Sequence, residues 1–152
     1  METKNVEEIK KTIKEFFKKT TFEVEVYVFE FQDATLPVKI KTPEPKILIG
    51  QNGQTLNEIQ HLLKAILRRK ISENFYIDLD INDYKKKKIE YLKETARSLA
   101  DEVALTKKEK TLEPMPAYER RIVHLELSGR KDVKTESLGE EPERRIIIKP
   151  CL

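Results

Sequence analysis

Ile47-Leu48-Ile49-Gly50-Gln51-Asn52-Gly53-Gln54-Thr55-Leu56 is the stretch on which the reading of this chain turns. An apolar run meets two glycines spaced Gly-x-x-Gly. A helical pattern follows at once, with Leu56, Ile59, Leu62, Leu63, Ile66 and Leu67 on one face. Glycine permits positive φ and lets other atoms approach its backbone closely, so two glycines around two small polar residues form a tight turn. The turn opens onto a helix N-terminus, where free N–H groups and the positive dipole end favour an anion such as a backbone phosphate. The spacing alone also fits a plain helix start, but the chain holds only four glycines and two lie here.

The flanking elements alternate in period. Residues 5–19 read as a helix capped by Asn5 with Glu8 three residues on, and Val6, Ile9, Ile13, Phe16 and Phe17 form its apolar face. Residues 22–31 read as a strand with Phe22, Val24, Val26 and Val28 on one face and Glu23, Glu25, Tyr27, Phe29 and Phe31 on the other. After a turn at residues 32–35, Leu36, Val38 and Ile40 mark a second strand, which Pro37 assigns to an edge or a strand start. Pro43 and Pro45 bracket a loop into a short helical turn that ends at Gly50. The helix after Gly53 runs to about Lys70 with His61 beside its apolar stripe, a placement read as structural. Phe75, Ile77, Leu79 and Ile81 then alternate as a third strand. A sheet with helices on one face buries both apolar sets.

This order, with Ile-Gly-x-x-Gly followed by Thr-Leu and an amphipathic helix, resembles the KH fold in the variant found in bacterial proteins. The G-x-x-G loop of that fold clamps about four backbone nucleotides. The chain departs from the usual pattern between the glycines, where Gln51-Asn52 stands in place of a Lys or Arg. Phosphate grip then rests on backbone N–H groups and the helix end.

Composition bounds the answer. The chain has 152 residues, 38% charged and 38% hydrophobic, enough for one medium domain or two small ones. A single cysteine, Cys151, excludes a disulfide within the chain; it fits a reducing cytosol and reads as a terminal bystander. Met1-Glu2-Thr3-Lys4 leads into a charged helix without the apolar core of a signal peptide, and no run approaches the roughly 20 apolar residues of a membrane span. The net charge is +3, and its distribution is uneven. Residues 1–81 carry 13 basic and 13 acidic residues, whereas residues 82–152 carry 17 and 14.

The second half opens with Asn82 or Asp83 as a cap. Ile89, Leu92, Ala96, Leu99 and Val103 recur at helical spacing through about Ala104. Lys85-Lys86-Lys87-Lys88 reads as a solvated helix face. Beyond the Lys107-Lys108-Glu109-Lys110 loop, the prolines exclude helix until Pro116, which can start one. Arg120 and His124 share a face of that helix, Gly129 stops it, and Tyr118 reads as core. Val133–Leu138 and Arg144–Lys149 read as two strands around a Gly139-Glu140-Glu141-Pro142 turn. Arg144 and Arg145 point to opposite faces.

Arg-x-x-x-His on a helix is the signature of a small single-stranded nucleic-acid-binding domain named for its Arg and His. The longer run Glu113-Pro114-Met115-x-Ala117-Tyr118-Glu119-Arg120-Arg121-Ile122-Val123-His124 resembles the form in the bacterial Jag (KhpB) family, as does Ser137-x-Gly139-x-x-Pro142-x-Arg144-Arg145 with Ile146-Ile147-Ile148. The resemblance covers nearly the whole chain, without the additional N-terminal domain that many Jag proteins carry. It implies an α+β protein of two lobes, a KH-like domain over residues 1–81 and an Arg-xxx-His domain over residues 82–152. It further implies a cytoplasmic binder of single-stranded RNA, or of single-stranded DNA, that serves as a post-transcriptional regulator or RNA chaperone. The implied binding residues are Gly50, Gln51, Asn52 and Gly53 in the first lobe and Arg120, His124, Ser137, Gly139 and Arg144 in the second. Arg120 and Arg144 would meet phosphate, and His124 a base. On the residues alone, Arg120 equally pairs with Glu119 or Glu126 at the surface.

No Walker loop, zinc-ligand cluster or HExxH occurs, so the sequence implies no enzyme, no cofactor and no metal. The competing reading is a protein-interaction module whose KH-like lobe pairs with a partner, such as a small KH-domain protein, and does not itself bind RNA. The neutral loop favours that alternative.

Overall fold

Amphipathic helices and alternating strands bury their apolar sides against one another, and in this chain they do so twice. The computed structural model describes residues 3–151; Met1 and Glu2, part of the N-terminus read above, lie outside them, as does Leu152. Two units divide between Lys85 and Lys86.

The first unit runs α1 (Thr3–Lys18), β1 (Glu25–Val28), β2 (Thr35–Lys41), α2 (Pro45–Ile49), a 3-10 turn (Gln51–Gly53), α3 (Gln54–Lys70) and β3 (Tyr76–Ile81). The sheet order is β1-β2-β3, with β1 antiparallel and β3 parallel to β2. Ile9, Ile13 and Phe17 of α1 and Leu56, Leu63 and Leu67 of α3 pack on Leu36, Val38, Ile40, Ile77, Leu79 and Ile81, all buried. The helices thus cover one face, as the alternation requires.

Several local expectations fail for identifiable reasons. The first helix begins at Thr3, because no breaker precedes Asn5; Asn5 is therefore helical and not its cap. β1 is only four residues long. Its partner β2 ends at Lys41, before Thr42-Pro43, so Phe22 and Val24 pack against the core without pairing. Phe31 leaves the outer face and meets Phe75 edge-on, with centroids 5.9 Å apart, because the bridge between Gln32 and Thr35 breaks the alternation.

Pro37 lies in the central strand, not at an edge. Its carbonyl accepts the Phe29 N–H at 3.0 Å, so its own nitrogen also faces β1, just beyond the last β1 pair. The missing donor falls where that ladder stops, and the β3 ladder loses nothing. On α3, His61 and Leu62 are exposed; Leu62 lies outside the buried stripe of Leu56, Leu63 and Leu67.

Side chains close the ends of the sheet. Asn82 accepts from the Thr42 N–H at 3.0 Å and donates to the Thr42 carbonyl at 2.8 Å, which extends the β2–β3 pairing by one step. Gln60 of α3 accepts the N–H of Leu79 on the free edge of β3 at 3.0 Å. Neither Asn82 nor Asp83 has the backbone of a helix cap, since their φ values are 50° and 57°. Asp80 takes that part, accepting the Lys85 N–H at 3.2 Å.

The second unit comprises most of α4 (Tyr84–Thr106), then β4 (Lys110–Thr111), α5 (Ala117–Leu127), β5 (Val133–Leu138) and β6 (Arg145–Pro150). Its antiparallel sheet has the order β4-β6-β5. Leu92, Ala96, Ala100 and Val103 of α4 and Val123 and Leu127 of α5 share a core with Val133, Ile146 and Ile148. The two-residue β4, whose Lys110 falls in the stretch read as loop, pairs with β6. Pro116 sits at the N-cap of α5 with extended backbone, as expected of a proline at a helix start. The helix ends near Gly129 without a left-handed glycine there. Tyr118 is exposed, with its hydroxyl 3.1 Å from Glu119 Oε1, so it is not a core residue.

Burial on α3 sets a contrast. Leu63→Ala should destabilise the protein by roughly 2–5 kcal/mol, the usual cost of a cavity at a buried leucine. Leu62→Ala, one residue away and half exposed, should cost well under that; urea unfolding of the two variants measures both.

Candidate nucleic-acid interface

The Gly-x-x-Gly turn joins two helices by backbone conformations that side chains resist. Gly50 has φ 71° and ψ −178°, a region essentially open to glycine alone. A Cβ there would sit 2.2 Å from Thr55 Oγ1. Asn52 (φ 54°, ψ 27°) and Gly53 (φ 77°, ψ 14°) are left-handed, which asparagine tolerates better than most residues. A Cβ at Gly53 would press on Tyr84 Cε1 at 3.0 Å. The Gly50 N–H closes α2 on the Lys46 carbonyl at 3.0 Å. No side chain caps α3, and Gln51 and Asn52 are exposed at its head. The turn therefore offers an uncapped end of a 17-residue helix beside two neutral amides.

In the second unit the residues singled out by sequence gather where α5 faces β5 and the turn after it. His124 lies between two hydroxyls, with Nδ1 2.6 Å from Thr135 Oγ1 and Nε2 3.1 Å from Ser137 Oγ. Burial, and next the charge of Arg120, push its pKa below the ordinary 6.5. The imidazole is neutral at pH 7, with one nitrogen donating and the other accepting. Both nitrogens are engaged within the protein, so His124 orients Ser137 and Thr135.

Arg120 is not the surface arginine expected. It is buried; Nη1 donates to the Met115 carbonyl at 2.7 Å, and Nη2 pairs with Glu141 Oε1 at 2.7 Å. Neither proposed surface partner holds it. Glu119 is itself buried against Tyr118, and Glu126 pairs with Arg97. Arg120 thus ties the segment before α5 to the turn that follows β5. Arg144 grips the same turn, with Nη1 donating to the Gly139 carbonyl at 2.6 Å. Gly139 (φ 87°) supplies the left-handed backbone that the turn requires. Arg145 is occupied by Glu143 at 3.4 Å.

The five residues of the second set therefore form one assembly, in which two arginines and a neutral histidine fix a turn and a strand face. Sequence reading missed Thr135, Glu141 and the Met115 carbonyl. Thr135 was within reach, since it stands two residues from Ser137 on one face of a strand.

Known families divide the chain in the same order. Residues 8–89 match the KH domain, and residues 90–150 match the domain named for its Arg-xxx-His motif. The chain belongs to the Jag (KhpB) family. It is 40% identical over 111 residues to a protein of Clostridium symbiosum named RNA-binding protein KhpB, covering 73% of this chain and 50% of that one. The protein of that name in Bacillus subtilis is 39% identical over 116 residues, 75% of this chain and 56% of the relative. The one in Lactiplantibacillus plantarum is 32% identical over 119 residues, 78% and 37%. The chain thus spans about half the length, or less, of these relatives. Among the described residues no three His, Cys, Asp or Glu side chains gather where they could hold a metal, and no helix is long and apolar enough to cross a membrane.

Two consequences of this geometry are measurable. Arg120→Ala leaves the Met115 carbonyl without its charged donor and should lower stability by about 1.5–3 kcal/mol, read by denaturant unfolding. His124 gives a pH dependence of known sign. Its folded pKa lies below the unfolded value, so as pH falls through about 6.5 the unfolded chain takes up the proton first. The His124 contribution is complete above that pH and is lost below it. Lowering the pH from about 7.5 to about 5.5 should therefore destabilise the wild type more than His124→Asn, in urea titrations at the two values.

Proposed function

We propose that the protein binds single-stranded RNA, as a bacterial post-transcriptional regulator or RNA chaperone acting in the cytoplasm, without catalysing a reaction. The observation that carries the reading is the occurrence, one after the other in a single chain, of a KH domain and an Arg-xxx-His domain. In this reading residues 1–81 act as the KH module and residues 82–152 as the Arg-xxx-His module. KH modules take unpaired bases and clamp the backbone at the G-x-x-G loop. Gly50, Gln51, Asn52 and Gly53 would meet that backbone through N–H groups and neutral amides. The Ser137 hydroxyl, the Gly139 turn and the remaining N–H groups of Arg144 would face the strand in the second module, held there by His124 and Arg120. The family relation adds a small KH-domain protein as a second partner in this proposal.

Fluorescence anisotropy with an unstructured RNA and a hairpin of equal length tests the reading. The single strand should bind more tightly, and equal or tighter binding of the hairpin would overturn it. The loop has its own test. Each added phosphate contact steepens the log–log salt slope on single strands by about 0.7. Changing Gln51 and Asn52 to Lys should strengthen binding and steepen the slope by up to about twice that value. An unchanged slope would remove the loop from the interface.

A further inference from the structure

The face of the first sheet turned away from α1 and α3 carries a patch that neither the Gly-x-x-Gly turn nor the second unit explains. Tyr27 stands on β1, and Phe29 follows it by two residues in the extended backbone held by Pro37, so both rings project from that face. They are 43% and 47% exposed. On the neighbouring strand, Lys41 Nζ lies 5.5 Å from the Tyr27 ring centroid and Lys39 Nζ lies 5.9 Å from that of Phe29. Isolated exposed aromatics are ordinary. Two side by side, each with an ammonium on a mobile stem, have the composition of a surface that stacks bases and neutralises phosphates.

Three acidic groups on this face are already engaged, and Glu23 lies exposed at its end, two residues before Glu25. Glu25 accepts the Tyr27 hydroxyl at 2.8 Å, Asp78 pairs with Lys85, and Asp80 accepts two backbone N–H groups. Lys39 meets Asp83 only at 3.5 Å, with both side chains more than half exposed. Among the described residues Lys41 forms no ion pair.

Spacing selects the kind of nucleic acid. Two residues along a strand separate the rings by roughly 6.5 Å. Stacked bases in a duplex strand rise by about 3.4 Å. Neighbouring bases can reach both rings only when they are unstacked, as in a single strand splayed over a sheet.

We propose that Tyr27 and Phe29 stack on two successive bases of a single-stranded RNA, and that Lys39 and Lys41 swing from the rings onto the flanking phosphates. The inference rests on the RNA-binding reading above and adds to it a contact surface, distinct from the G-x-x-G loop.

Anisotropy titrations with unstructured RNA oligonucleotides, on the full chain, test it. Tyr27→Ala with Phe29→Ala should weaken binding by on the order of tenfold or more. Tyr27→Phe with Phe29→Tyr, which keeps both π faces, should bind as the wild type does. Lys39→Ala with Lys41→Ala should flatten the log–log salt slope by about 1.4. Photocrosslinking of the wild type should place nucleotide adducts on the peptide containing Tyr27 and Phe29. A wild type that binds RNA, beside an alanine variant of equal affinity and lysine variants of equal slope, sinks this inference alone. So does an alanine variant that binds RNA normally but changes the sedimentation mass, which would make the face an interface between copies of the chain. Loss of binding in the ring-swapped variant would also overturn it, since stacking survives that exchange. A wild type that binds no single strand sinks the RNA-binding reading and this inference with it.

Discussion

The parallel pairing of β2 with β3 is the constraint on which the first unit depends. Strands that run the same way cannot be joined by a tight turn; the chain must travel back along the sheet before the second strand begins. Residues 42–75 make that return as α2, the Gly50–Gly53 turn and α3, and the register from Thr35 with Tyr76 to Ile40 with Ile81 fixes their length. The return also has to reverse direction between two helices within a few residues, and left-handed backbone at Asn52 and Gly53 provides the reversal. Gln51 and Asn52 are exposed beside the head of α3 because the crossover bends there. Topology and candidate phosphate site thus have one origin.

The second unit solves a different problem. Its sheet is antiparallel, so what needs fixing is the placement of α5 and of the loop that follows β5. A neutral imidazole between two hydroxyls and a buried guanidinium between a carbonyl and a carboxylate do this with directional bonds. Such bonds define geometry more sharply than apolar packing. Residues recognised by motif therefore act here largely on one another.

Periodicity made the architecture legible. Alternation in Leu36–Ile40 and Phe75–Ile81 faces the core as read, as do Leu56, Ile59, Leu63 and Leu67 of the helical stripe, whereas Leu62 is exposed and Ile66 only half-buried. What escaped is what no single-chain pattern encodes. Pro37 is tolerated in a central strand only because the neighbouring strand has already ended. Arg120 is buried because a proline-flanked carbonyl and a turn some twenty residues later converge on it, a tertiary fact invisible in Arg-x-x-x-His. Conversely, the grouping of His124 with Ser137 and of Arg144 with Gly139 came from family resemblance rather than from spacing. Asp80 displaced the two expected caps because consecutive left-handed residues, Asn82 and Asp83, turn the chain before α4 begins.

The hydrogen bond from the Leu79 N–H to Gln60 has a consequence for the behaviour of the chain in a crowded solution. An open edge strand is a template on which another chain can add its own backbone, the first step of uncontrolled self-association. On β3, a side-chain amide from α3 already holds an outward-facing donor. The first sheet is therefore blunted on one side by a single glutamine. At its other margin a strand of only four residues leaves little to copy.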